Sequence, residues 1–230
     1  MNKNNSILVI AAHPDDEVLG CGGTIVRLKN ELNSIYVAIL GEGITARYNQ
    51  RERAEGGVLE VLRKSSERVA EILGIKDLFL FNLPDNRFDT VPLLDIVKII
   101  EGLIEKIKPT IIFTHHGGDL NIDHSIIHRA TLTATRPIAG YSVKQVYAYE
   151  VPSSTEWVFN QFSKCFHPNV FIGIGATLEK KIKAMELYES EVRSFPHPRS
   201  PEALRVLAKR WGSVAGLEAA EAFELIREIR

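Results

Sequence analysis

The sequence predicts an α/β fold: a mostly parallel sheet flanked by helices, with a helical C-terminal elaboration. Three observations carry this. Ile7–Ala12 is a continuous apolar run and Thr110–Thr114 has an apolar centre, as expected of strands buried on both faces of a parallel sheet. Strand-like and helix-like segments then alternate, which implies right-handed βαβ units. Finally, 230 residues with 45% hydrophobic and 25% charged content suffice for one large domain with its own core.

The elements follow in order. After the first strand come Gly20-Cys21-Gly22-Gly23 and a helical pattern over 24–29, then a strand over 34–40. A helix is expected from about Arg51 to Leu73, closed by Gly74, which is a good C-cap residue. A short strand over 78–81, a helix over 93–107 stopped before Pro109, and the strand over 110–114 come next. A helix over 125–135 and a strand over 145–149 complete a core of about residues 6–150. Beyond Pro152 the character changes. An edge strand is expected over 168–172 and an amphipathic helix over 178–194, followed by the Pro-rich 195–201 and final helices. Residues 1–230 therefore read as a single domain, with the elaboration from about 151 to 230.

Composition excludes some function classes. The net charge is -1, with no Lys/Arg excess to suit a nucleic-acid backbone. The two cysteines, Cys21 and Cys165, can build neither a disulfide framework nor a CxxC metal site. The apolar run near the start is too short for a signal-peptide core or a membrane span. A cytoplasmic protein without stable membrane insertion, acting on a small molecule and compatible with a homo-oligomer, is the expectation.

The chemistry is expected where ligands gather in open parallel sheets, outside the carboxyl ends of the strands. Two strand ends carry dense polar sequence: His13-Pro14-Asp15-Asp16-Glu17 and His115-His116-Gly117-Gly118-Asp119-Leu120-Asn121-Ile122-Asp123-His124. Both point to the same end of the sheet. A catalytic zinc takes three protein ligands and leaves a position open. His13 and Asp16 supply two, and His124 is the natural third. Asp15 is then free to act as general base, Pro14 biases His13 toward extended backbone, and Glu17 supports the turn. The plainer alternative is that these acids are helix caps, Asp15 or Asp16 for one helix and Asp123 for another. It does not account for two such clusters at one edge.

Other signals are weaker. His124 and His128 share a helix face, but no Glu follows the first His, so HExxH is absent and His128 reads as a packing residue. The Gly20–Gly23 stretch lacks GxGxxG spacing and follows an acidic turn, so close helix packing explains it better than a dinucleotide. Cys21 has no basic neighbour to activate it. Among Arg47, Arg51, Arg53 and Arg63, Arg47 is best placed to bind a substrate phosphate. Helix-face pairing with Glu52, Glu55, Glu60 and Glu67 accounts for the group equally well.

Ala12-His13-Pro14-Asp15-Asp16-Glu17, followed by Gly20-Cys21-Gly22-Gly23, resembles the signature of the PIG-L/LmbE-like zinc-dependent de-N-acetylases. Asp123-His124 resembles that family's second motif, commonly His-Pro-Asp-His, and the similarity runs from residue 6 to about 150. The resemblance implies a Rossmann-like fold, zinc on His13, Asp16 and His124, Asp15 as base, and N-acetylglucosamine-type substrates that lose acetate. Leu83-Pro84-Asp85-Asn86 resembles the segment whose Asp binds sugar hydroxyls, which marks Asp85, although a plain Pro-Asp turn reads equally well. One departure stands out. Where the family places a His three residues before the metal-binding His, this chain has Asn121. Asparagine can donate to an oxyanion but cannot serve as a general acid. The acid is then protonated Asp15 or an imidazole from His115, His116 or His197, with the Pro-flanked His197 favoured. Asp15, Asn121, Asp123 and His197 are thus the catalytic candidates, and Asp85 and Arg47 the substrate contacts.

The expected activity is metal-dependent removal of an acetyl group from an N-acetylated sugar, free, nucleotide-linked or lipid-linked, with iron(II) or cobalt able to replace zinc. The alternatives are an amidase for other N-acyl or thiol-conjugate substrates and a non-catalytic sugar- or nucleotide-binding module with a degenerate metal site.

Overall fold

The computed structural model describes residues 4–49, 56–138, 140, 142–161 and 165–230. The predicted helix start at Arg51, together with Arg51 and Arg53, lies outside them. The elements run β1 (Ser6–Ala11), α1 (Asp16–Asn30), β2 (Ser34–Gly41), α2 (Gly56–Leu73), β3 (Asp77–Leu83), α3 (Leu93–Ile107) and β4 (Ile111–His115). They continue as α4 (Ile122–Ala134), β5 (Gln145–Tyr149), β6 (Val170–Gly173), α5 (Leu178–Glu186), α6 (Pro201–Ala215) and β7 (Ala220–Glu228).

The strands form one sheet in the order β3-β2-β1-β4-β5-β7-β6. The five strands from β3 to β5 are parallel, as the buried apolar runs require. The last two are antiparallel: β7 pairs with β5 on one side and β6 on the other. One face packs against α1, α2, α5 and α6 around Val18, Leu62, Ile182 and Leu204. The other packs against α3 and α4 around Ile96, Ile100 and Ile127. Among the described residues no helix is long and apolar enough to cross a membrane.

The structure corrects four expected boundaries. The first helix begins at Asp16, not near Thr24, so the acidic turn and the glycines belong to α1. Helix α4 begins at Ile122 and its cap is Asn121, whose side chain accepts from the Asp123 amide. Asp123 is therefore not the cap. The helix expected to reach Ser194 stops at Glu186. The C-terminal elaboration is not wholly helical either, because α6 is followed by strand β7, inserted next to β5.

The glycines of α1 do permit close packing. A Cβ on Gly20 would lie 2.2 Å from the ring of Tyr149, and one on Gly23 would lie 2.8 Å from Ile174. Tyr149 is fully buried and its hydroxyl donates to the Ile10 carbonyl at 2.7 Å, so the ring cannot yield. Gly20→Ala should therefore cost about 3 kcal/mol. At ~2–4 °C per kcal/mol for a domain of this size, the melting temperature should drop by about 10 °C. Gly57→Ala is the control. It is exposed in α2 with nothing near its Cβ position, and its melting temperature should hold or rise.

Candidate metal centre and active site

β1 delivers the chain to His13-Pro14-Asp15-Asp16 at the carboxyl edge of the sheet. Asp15 has φ 110°, in the left-handed half of backbone space where a non-glycine residue is strained. Several bonds hold it there. Its carbonyl accepts from the Val18 and Leu19 amides at 3.0 and 2.9 Å, and its own amide donates to Glu17 Oε2 at 3.1 Å. Glu17 is fixed in turn by the Tyr188 hydroxyl at 2.6 Å. Burial pushes the Glu17 carboxyl up to about 7, against the lowering hydrogen bond from Tyr188. The expected supporting role of Glu17 is what the geometry shows.

The turn aims Asp16 Oδ2 at two imidazoles. It lies 3.4 Å from His13 Nδ1 and 3.3 Å from His124 Nε2, and also accepts from the His13 amide at 2.8 Å. His13, Asp16 and His124 thus bring one ligand atom each within 4.8 Å of one another. Behind each imidazole stands another carboxylate. Asp123 Oδ2 lies 2.9 Å from His13 Nε2, while its Oδ1 accepts from the Phe88 amide at 2.9 Å. Asp119 Oδ1 lies 3.1 Å from His124 Nδ1 and accepts from the Ser154 hydroxyl, while its Oδ2 accepts from the Thr155 hydroxyl at 2.6 Å. Carboxylates in that place fix ring orientation and tautomer in metal-binding histidines.

The donor set fits a cation. His124 is 1% exposed, yet neither of its ring nitrogens makes an aligned hydrogen bond. Burial alone would lower its pKa, but Asp16 and Asp119 outweigh it and push the imidazole up to about 9. Burial likewise raises Asp16, but the charges of His124 and His115 and the close approach of the His124 and His13 rings pull it well below the usual carboxylate range. The cluster therefore demands positive charge where the three ligand atoms meet. Two neutral nitrogens and one carboxylate oxygen are the donors a divalent zinc, iron or cobalt ion accepts.

A small cavity opens beside this group, about 140 Å³ in volume. It is lined by His13 and also by Asp15, Asp85, Asn121 and Arg47, so most of the predicted residues converge. Two candidates are corrected. Asp123 is fully buried behind His13 and touches its ring, so it is an orienting group rather than a catalytic one. His197 does not line the cavity; its ring packs against Trp157 and its Nδ1 accepts from the Arg199 amide at 3.1 Å. The other imidazoles considered as acids are withdrawn too. His115 is buried, accepts from the Ala12 amide and stacks on His124 with centroids 4.0 Å apart, and His116 pairs with Glu224. Asp85 lines the cavity but its oxygens already serve the Ala46 amide, the Asn86 side chain and His13. Arg47 lines the cavity too, with Nη2 2.5 Å from Glu191 Oε2, an oxygen it shares with Arg199.

Sequence reasoning missed Arg199. Its Nη1 lies 2.8 Å from Asp15 Oδ2 and 3.2 Å from Glu191 Oε2. Its sequence signal is its place in the Pro-flanked 195–201 stretch beside His197. Asp119, Tyr188 and Glu191 were missed as well.

A family model described as PIG-L, GlcNAc-PI de-N-acetylase, matches residues 8–135. The chain belongs to the PIG-L family. That segment holds the whole His13, Asp16 and His124 group, and it ends before α5, α6, β6 and β7. Among curated relatives, an uncharacterized deacetylase, YaiS, of Escherichia coli strain K12 is 29% identical over 74% of this chain and 82% of its own length. Diacetylchitobiose deacetylase of Thermococcus kodakarensis is 24% identical over 98% of this chain and 84% of its own. The fold is shared with solved structures, among them GalB, the 4-carboxy-2-hydroxymuconate hydratase of Pseudomonas putida KT2440. GalB has a TM-score of 0.76 at 21% identity, covering 98% of each chain. One architecture therefore carries both deacetylases and a hydratase, and the reaction has to be argued from the site.

Proposed function

We propose that this protein is a metal-dependent hydrolase that removes the acetyl group from the amine of an N-acetylated sugar. The observation that carries the reading is the buried His13, Asp16 and His124 group at the foot of a cavity that Asp15 and Asn121 also line. The deacetylase names of the sequence relatives point the same way. A divalent cation held there, zinc in the first place, would polarise the acyl oxygen and bring the pKa of water toward ~7.

The protein's own residues do the rest. Asp15 takes the proton from the attacking water, aided by burial, which pushes its carboxyl well above the usual range against the opposing Arg199 charge. The Asn121 carbonyl oxygen is spent on capping α4, which leaves its NH2 to donate to the oxyanion. Protonated Asp15 then returns its proton to the departing amine, since among the described residues His13, a ligand in this reading, is the one imidazole in the cavity lining. The cavity is well below the ~300–1,000 Å³ of sites that enclose a whole drug-sized ligand. It suits the N-acetyl end of a sugar, with the remainder lying outside. Asp85 and Arg47 are the substrate contacts of this reading, at the cavity wall.

The test is acetate release from N-acetyl sugars, free and conjugated, by metal-reconstituted protein, with longer N-acyl and thiol-conjugate amides beside them. Acetate and free amine appearing in equal amounts, and only with metal present, is the expected result. Water addition to an enol acid without amide cleavage would place the protein with the hydratase. Binding of the sugar without turnover in metal-loaded protein would make it a binding module.

A further inference from the structure

We infer that Arg199 is the positioning residue for Asp15, and that the segment from Tyr188 to Arg199 is part of the catalytic unit. The inference rests on the reading of Asp15 as the base.

The argument starts from which oxygen of Asp15 is free. Arg199 Nη1 lies 2.8 Å from Oδ2, while no bond to Oδ1 is recorded among the described residues. Oδ1 is therefore the oxygen left to accept a proton, and Arg199 decides which way it faces. Arg199 is itself held on two further sides. Its Nε donates to Ser153 Oγ at 2.7 Å, and Nη1 also reaches Glu191 Oε2 at 3.2 Å. Glu191 in turn accepts from Arg47 and, through Oε1, from the Ser190 hydroxyl at 3.0 Å. Nε and Nη1 thus spend three of the five N–H donors on two carboxylates and a hydroxyl, and Arg199 itself lines the cavity. A planar fork presents its N–H groups in fixed directions, which a flexible lysine ammonium does not.

The strain at Asp15 gives this clamp a purpose. With φ at 110° the residue sits in a conformation the backbone alone disfavours. Glu17 fixes its amide and Arg199 fixes its carboxylate, and Tyr188 and Arg199 both come from the part of the chain beyond the family match at residue 135. The C-terminal elaboration therefore completes the acidic turn from outside.

Kinetics of Arg199→Ala in the metal-loaded enzyme test this, with acetate release as the readout. A base displaced by about an ångström loses about 100-fold in rate. The expected result is a kcat lower by about 100-fold with KM and bound metal unchanged, partly restored by added guanidinium. On an Asp15→Asn background the same substitution should cost nothing further. Unchanged kcat, a rise in KM alone, or an equal loss on the Asp15→Asn background would each overturn the inference. If Asp15→Asn itself keeps full turnover, the base assignment fails instead, and the two failures are told apart. Should Arg199→Ala not fold, Arg199→Lys replaces it: a lowered kcat with KM unchanged supports the clamp, and wild-type kcat overturns it.

Discussion

Asp15→Asn is expected to leave the metal near stoichiometric and to lower kcat by about 10²–10⁴-fold, the usual contribution of a general base. The proposed ligand group is His13, Asp16 and His124, so Asp15 can change without touching it. Asparagine is a better probe than alanine here because it tolerates positive φ and fills the same volume, yet its amide takes no proton. Its carbonyl oxygen can still accept from Arg199, and Glu191 remains 3.2 Å from the guanidinium. Folding should therefore be little changed. Metal content by atomic absorption and turnover at saturating substrate check the prediction together. Turnover near wild type would remove Asp15 from the mechanism, while joint loss of metal and activity would make it a ligand.

His124→Ala should have the opposite signature. It removes a ligand, and metal affinity should fall by more than the ~10–100-fold that follows loss of a supporting partner. Asp119→Asn and Asp123→Asn, which touch only the far side of the imidazoles, should fall within that range, with kcat at saturating metal largely kept. The substitution also acts on the metal-free protein. There His124 titrates at about 9 in the fold against about 6.5 when unfolded, so the folded state binds more protons between these values. The stability this contributes is fully present below about pH 6.5 and is lost as pH rises through about 9. Chelated wild type should therefore lose stability across that window. His124→Ala should lose the His124 part of the slope, while His13, also raised against burial by its carboxylate neighbours, keeps its own. The variant should be less stable by about 3 kcal/mol or more at pH 6, since Asp16 and Asp119 stay buried beside an uncompensated hole. Denaturant melts of chelated protein at pH 6 and pH 9.5 measure both effects.

The legible parts of the sequence were those where local pattern and burial agree. The apolar run at β1, the polar cluster after it and the matching cluster after β4 imply one shared sheet edge, and β1 and β4 are indeed parallel neighbours with both clusters at their carboxyl ends. β7 was misread because its composition argues for a helix. Ala220-Glu221-Ala222-Phe223-Glu224-Leu225 is rich in helix formers. Its partners are distant: Glu221 meets Lys181 at 2.6 Å and the amides of Gly23 and Thr24, and Glu224 meets His116. Tertiary pairing of buried acids overrode propensity, and no window of sequence contains it. Arg199 was hidden for a related reason. A loop arginine carries no periodicity, and its role exists only when Asp15 and Glu191 stand on either side of it. The end of α5 was misplaced because the amphipathic pattern runs on past Glu186, whereas the chain turns there to point Tyr188 and Glu191 at the site.

The place of β7 in the sheet has a consequence for how the molecule assembles. β6 has no other neighbour in the sheet, so after synthesis it waits, unpaired, through α5 and α6 until β7 arrives to lie between it and β5. Closing that long loop before any contact repays it is the slow kind of step in folding. The parallel half can zip locally, strand by strand, with both polar clusters already at its edge. The segment that brings Tyr188 and Arg199 lies inside the loop that β7 closes, so the proposed ligand group should take shape early and the bracing of Asp15 late.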